Sequence, residues 1–148
     1  MLCNTPQPST PPQEAQDEVV APAQRDGPSS SPVLIVDDDA AVRRSLRFLL
    51  TGHGFSIRAT ATIDEATRVL AKGNVRVIVT DFDLPGGGQR WIDYLSATQP
   101  DAAIIILTGA ALDRKSLRAL RKRVFAVLAK PVSADELVQI IRRALAGT

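Results

Sequence analysis

Little cysteine, little histidine and no long apolar run: these scarcities narrow the field first. Cys3 is the sole cysteine. No disulfide can therefore close within the chain, and a reducing compartment suits it. A transmembrane helix needs about 20 consecutive apolar residues, which no stretch supplies. No apolar run precedes Cys3, as a lipoprotein signal would require. The chain is expected to be soluble and cytoplasmic, with no membrane partner. His53 is the sole histidine. It follows Gly52 at the expected end of a helix, where a solvated loop position is the simplest reading. A phosphohistidine site would sit on the face of a helical bundle, and nothing here suggests one.

What is present is unevenly spread. The 148 residues are 45% hydrophobic and 23% charged, with formal net charge +2, a globular composition. Seven of the ten prolines (Pro6, Pro8, Pro11, Pro12, Pro22, Pro28 and Pro32) precede Val33, as does the run Ser29-Ser30-Ser31. Segment 1–32 has too few large apolar side chains to offset the entropy of ordering it. It is expected to be a disordered tail before one folded domain at 33–148, since the length allows one domain. Glu14, Asp17, Glu18 and Asp26 against Arg25 give the tail −3, which leaves +5 on the domain of a chain with net +2.

From Val33 onward, short apolar runs alternate with helical patterns. The runs are Val33–Val36, Phe55–Ala59, Val75–Thr80, Ala102–Thr108 and Val124–Leu128. Three of them are continuous rather than alternating, which suits parallel strands buried on both faces. Between them lie patterns for helices of about ten residues or more. Val42, Leu46, Leu49 and Leu50 mark the apolar face of the first, with Arg43, Arg44 and Arg47 elsewhere on it. Thr62 with Glu65, and Ser133 with Glu136, read as capping boxes. Gly52 is placed to end the first helix. Five β-α units in succession imply an α/β fold with a doubly wound sheet. Ligands of such sheets bind beyond the carboxyl ends of the strands.

That edge is where the polar residues fall. The first strand runs into Asp37-Asp38-Asp39, the third into Asp81-Phe82-Asp83, the fourth into Thr108-Gly109 and the fifth into Lys130-Pro131. Clustered carboxylates repel unless a cation lies among them. Hard oxygen donors of this kind suit Mg²⁺. An Asp beside it can attack phosphorus, and a lysine can neutralise the phosphoryl oxygens. Asp39, directly before a helix, reads as a cap rather than a ligand.

The segments Val33–Asp39 (VLIVDDD), Val75–Pro85 (VRVIVTDFDLP), Ile104–Gly109 (IIILTG) and Leu128–Pro131 (LAKP) resemble the signature segments of receiver domains in two-component signalling. The resemblance runs from Val33 to about Ala146. It implies a five-stranded parallel sheet of order 2-1-3-4-5 (flavodoxin-like). It implies Asp81 as phosphoacceptor, and Asp37, Asp38, Asp81 and the backbone carbonyl of Asp83 as the protein ligands positioning Mg²⁺. Thr108 would close onto the phosphoryl group and Lys130 would pair with it. A cis Lys130-Pro131 peptide is common in the family. The donor would be a histidine kinase or a histidine phosphotransfer protein. The sequence departs from the family at Val127, three residues before Lys130, where an aromatic switch residue is usual. Phe125 shares the face of Val127 by strand alternation and is not promoted to that role. The loop Gly86-Gly87-Gly88 departs too, standing where an acidic residue is often found, and is expected to be mobile.

Trp91 and Tyr94 lie on a helix with Ile92 and Leu95, so core packing is expected of both. Arg114–Arg123 (RKSLRALRKR) is the most unusual surface feature, with Leu117 and Leu120 as its buried side. A solvated face is the plain reading. A partner-binding output surface is the sharper one, because receivers often use this helix. Nucleic acid is not expected, since no recognition-helix motif accompanies the charge. No output domain is readable in the sequence, so the signal is expected to leave by protein contact or onward phosphotransfer. Two other functions compete. Val77–Asp83 (VIVTDFD) mimics the Asp-x-Asp of haloacid-dehalogenase-type phosphohydrolases, although Asp135 and Glu136, a possible later acidic pair, fall inside an expected helix. A receiver-like module that works without phosphorylation would lack the acceptor, the acid pair or the lysine, and all are present.

Overall fold

The computed structural model describes residues 32–109 and 111–147. The expected disorder of the tail concerns residues outside these, apart from Pro32. The described chain alternates strictly: β1 (Pro32–Val36), α1 (Ala40–Gly52), β2 (Ser56–Thr60), α2 (Ile63–Ala71), β3 (Val77–Asp81), α3 (Gln89–Thr98), β4 (Ala103–Thr108), α4 (Arg114–Arg121), β5 (Ala126–Ala129) and α5 (Ala134–Ala146). The strands form one parallel sheet in the order β2-β1-β3-β4-β5, as the resemblance implied. Pro32, assigned to the tail by composition, is the first residue of β1 and pairs in register with Ser56.

The continuous apolar runs follow from burial on both faces. Val33, Ile35, Val77, Val79, Ile105 and Leu107 face the layer of α1 and α5, meeting Leu46, Leu50, Leu137 and Ile141. Their neighbours Leu34, Val36, Ile78, Ile104 and Ile106 face the layer of α2, α3 and α4, meeting Leu70, Ile92, Leu95 and Leu120. Each such side chain contributes about 1.5–3 kcal/mol by leaving water. Truncating fully buried Ile78 or Ile105 to Ala should cost about 2–5 kcal/mol. The edge strands are only part-buried, with Arg58 exposed in β2 and Ala129 in β5.

Helix ends obey local chemistry. Asp39 caps α1, its carboxylate accepting from Ala41 N (2.9 Å) and Val42 N (3.3 Å). Thr62 caps α2 by accepting from Glu65 N, and Glu65 Oε1 returns to Ala61 N (2.7 Å), one residue before the cap. Ser133 caps α5 through Glu136 N. The first helix stops at Gly52, as expected. Beyond it, Gly54 takes the left-handed conformation (φ 92°). Phe55 N then donates to Leu50 O and Gly54 N to Thr51 O, the paired bonds of a Schellman ending. β5 begins two residues later than its apolar run suggests. Arg123 N and Val124 N still bond back to Leu120 O, closing α4 before the strand can start.

Candidate functional site

Parallel strands all point their carboxyl ends one way, and the register brings their last residues together. Val36 pairs with Thr80, Asp81 with Leu107 and Thr108 with Ala129. Asp37, Asp81, Thr108 and Lys130 therefore lie side by side at one edge. Asp37, Asp81 and Thr108 are buried. Carboxylate oxygens of Asp37, Asp38 and Asp81 lie within 4.8 Å of one another, with Asp38 exposed at the mouth. Lys130 Nζ sits 3.2 Å from Asp37 Oδ2 and 3.4 Å from Asp81 Oδ2. Burial pulls the Lys130 ammonium down, but the charges and hydrogen bonds of Asp37 and then Asp81 outweigh it and hold it above its usual value.

Backbone groups hold the carboxylates. Asp39 N donates to Asp37 Oδ1 (2.9 Å), and Asp83 N donates to Asp81 Oδ1 (3.1 Å). The Asp37 backbone is fixed twice more, its N–H donating to Thr60 O and its carbonyl accepting from Arg43 Nη1 (2.9 Å). Beneath Asp81, Trp91 Nε1 donates to Thr80 Oγ1 (2.9 Å), whose hydroxyl donates to the Asp81 carbonyl (3.2 Å). Sequence reasoning missed Arg43, Thr80 and the polar role of Trp91. An arginine in the first turn of a helix carries no mark of reaching back to a strand end. A buried indole, which must place its N–H somewhere, was the one available hint.

Asp37, Asp38, Asp81 and Lys130 are brought together as expected, with Thr108 adjacent through its strand. The Asp83 carboxylate is exposed and stands outside the cluster; its peptide N–H, rather than its side chain, touches Asp81. Asp135 and Glu136 occupy the first turn of α5. The phosphohydrolase arrangement, in which Asp83 joins Asp81 and a later acidic pair, is thus not formed. The Lys130-Pro131 peptide is cis. Trp91 is core as expected, whereas Tyr94 is 46% exposed and stacks on Trp91 from outside (centroids 5.7 Å apart, planes 11°). His53 is exposed, as a loop residue should be.

The Gly86-Gly87-Gly88 turn is folded back by hydrogen bonds from Gly87 N to Leu84 O (2.7 Å) and Gly88 N to Phe82 O (3.0 Å). Glycine is required at 87, where a Cβ would lie 2.9 Å from Leu84 O. Val127 packs into the α2-α3-α4 layer, while Phe125 is 48% exposed before β5.

Three carboxylates against one ammonium leave the cluster formally −2. The donor set fits a hard divalent cation. No helix among the described residues is long and apolar enough to cross a membrane.

A family model for the response regulator receiver domain matches residues 33–142. The regulatory protein VirG of Agrobacterium fabrum is 36% identical over 114 residues, 76% of this chain and 45% of that protein. The C4-dicarboxylate transport transcriptional regulatory protein DctD of Rhizobium meliloti is 30% identical over 113 residues, 76% of this chain and 25% of that protein. The chain thus spans between a quarter and a half of the length of these relatives. Among solved structures, the beryllofluoride-activated NtrC4 receiver domain dimer is similar at TM-score 0.72 and 28% identity, over 79% of this chain and 98% of that one.

Proposed function

The chain belongs to the response regulator receiver domain family, and on that premise we propose that Asp81 accepts a phosphoryl group from the phosphohistidine of a histidine kinase or a histidine phosphotransfer protein. One observation carries the reading: the buried Asp81 carboxylate lies among Asp37, Asp38 and Lys130, within 3.4 Å of the ammonium. An Asp81 oxygen attacks phosphorus, the P–O bond forms as the P–N bond to imidazole breaks, and the electron pair leaves on nitrogen. Asp37, Asp38, Asp81 and the Asp83 carbonyl would hold Mg²⁺, which when bound supplies positive charge against the phosphoryl oxygens. Lys130, already bridging Asp37 and Asp81, then pairs with the incoming phosphoryl oxygens. Thr108, buried at the end of β4, turns its hydroxyl to the phosphorylated acceptor. Chemical relatives of the phosphorylated state suit such a site, as the beryllofluoride-activated relative indicates for itself.

The product is a switch rather than a turnover: the chain phosphorylates itself and dephosphorylates, and the output is an altered protein contact. The exposed cations of Arg114–Arg123 are the output surface for an acidic protein partner. With Val127 in place of an aromatic ring, the change passes through Thr108 and the following loop, and the coupling falls in the range of about 1–3 kcal/mol usual for linked sites. A chain starting near Ser31 suffices for phosphoryl acceptance, and the segment before it is dispensable for it. A cytoplasmic setting accords with the lone Cys3. The test is incubation with acetyl phosphate and Mg²⁺ followed by intact-mass measurement. Wild type should gain one phosphoryl group and Asp81→Asn none; equal labelling of both would place the acceptor elsewhere.

A further inference from the structure

Five cations of the α4 segment, Arg114, Lys115, Arg118, Arg121 and Lys122, are exposed and make no ion pair among the described residues. Arg123 alone is engaged, by Asp93 of α3. Four of the five on so short a helix, with the fifth at its cap, repel one another and gain from any anion that approaches. Phe125 stands next to them, 48% exposed, at the amino end of β5. The patch is therefore a basic strip with one apolar end.

The chain carries its own complement. Glu14, Asp17 and Glu18 form the densest acidic group of residues 1–31, and Val19-Val20 follow directly. The order matches. β1 starts at Pro32, and β5 starts next to Phe125, at the same edge of a parallel sheet. β1 and β5 are separated by β3 and β4, so about 14 Å separates them at about 4.8 Å per strand, with a further ~10 Å to the helix layer. The eleven residues 21–31 can reach about 35 Å when extended. Followed back from Pro32, the chain reaches the valine pair first and the acidic group second. Followed away from the same edge, the patch offers Phe125 first, then Arg121, Arg118 and Arg114.

We propose that residues 14–20 of this chain dock on its own α4, with Val19 and Val20 against Phe125 and Glu14, Asp17 and Glu18 along the cations. Exposed ion pairs are individually weak. Tethering supplies an effective concentration of about millimolar, so a contact that would be negligible between separate molecules is substantially occupied here. The docked segment covers the surface assigned above to output, and a partner must displace it. The inference thus adds a regulator to that reading. It needs neither phosphorylation nor the partner, so the two stand or fall by separate measurements.

Cys3, the sole cysteine, allows a nitroxide to be attached to the otherwise unaltered full chain. Amide intensities of the unphosphorylated, ¹⁵N-labelled protein should then be lost selectively over 114–125. The loss should disappear in Glu14→Gln/Asp17→Asn/Glu18→Gln and, independently, in Arg118→Glu/Arg121→Glu. It should also fade as salt is raised from about 20 to about 500 mM, where screening shortens to a few ångströms. Intensity loss centred on another surface, or unchanged in the acidic variant, overturns the proposal. So does loss that appears only when nitroxide and ¹⁵N are on different molecules, which would make the contact one between copies.

Discussion

The acidic edge of the sheet and the basic face of α4 carry charge in opposite ways. At the edge, Asp37 and Asp81 are buried, each carboxylate accepts a peptide N–H, and one ammonium bridges both. On α4 and its cap residue Lys122, five cations are exposed with no ion pair among the described residues. Fixed, buried charges act at short range in a medium that screens little, so they govern pKa values, metal affinity and chemistry. Exposed, mobile charges are screened and contribute little to stability, but they speed and select encounters. The same residue types thus serve reaction in one region and recognition in the other.

The sharpest way to break this contrast is to supply the missing cation. Mg²⁺ should raise the melting temperature, with stabilisation of about 2.7 kcal/mol at a concentration of 100 Kd. Asp38→Ala should remove most of that response. Equal shifts in the two proteins would mean that the carboxylate cluster is not where the metal acts.

Removing the bridging ammonium comes next. In metal-free buffer Lys130→Met leaves Asp37 and Asp81 facing each other uncompensated. Breaking a fully buried pair costs about 3–5 kcal/mol; Lys130 keeps 28% of its side chain exposed, and a loss of about 1–2 kcal/mol in urea unfolding is expected. The folded-state pKa of Lys130 lies above its ordinary 10.5. Its contribution is therefore complete below 10.5 and lost as pH rises through the folded value. The gap between wild type and Lys130→Met should be constant from pH 7 to 9 and shrink on strongly alkaline titration. A gap that closes near neutrality would point to another group.

Smaller still is the network beneath the acceptor. Trp91→Phe keeps an aromatic ring in α3, though a smaller one, and deletes the donor to Thr80 Oγ1. The expected cost is about 1 kcal/mol, read by chemical denaturation, with phosphorylation by acetyl phosphate retained. A loss of labelling without loss of stability would give Trp91 a part in the chemistry instead.

The smallest effect on stability should come from the other region. Arg118→Glu with Arg121→Glu ought to shift unfolding by no more than about 0.5 kcal/mol, because both residues are exposed and neither makes an ion pair among the described residues. The same change should abolish salt-sensitive capture of an acidic partner. If capture survives, α4 is not the output face; if capture depends on these charges but is the same with and without phosphorylation of Asp81, the surface is real and the switch through Thr108 is wrong.

Much of this was legible in the chain, for identifiable reasons. Continuous runs such as Val33–Val36 and Ile104–Leu107 declared strands buried on both sides, and side chains alternating between two layers explain why no polar residue interrupts them. Asp39, Thr62 and Ser133 announced helix starts because caps act through near neighbours. Gly52 marked the end of the first helix, but which residue takes the left-handed turn beyond it, Gly54, was not legible in advance. Tyr94 misled because helical periodicity places a side chain on a face without saying how far the neighbouring layer extends over it.

By itself the sequence determined which residues end each strand, and parallel strands necessarily deliver those ends to one edge; Asp37, Asp81, Thr108 and Lys130 needed no more than that. Tertiary structure decided what holds them. Arg43 on the Asp37 carbonyl and Trp91 on Thr80 depend on side-chain directions and interlayer distances that no local pattern encodes. Tertiary structure also decided that Asp83 turns its carboxylate away while Asp38 keeps its own within the cluster. Both follow a strand end by two residues, and only the turn each enters, toward α1 or through the glycine loop, sets the direction of the side chain.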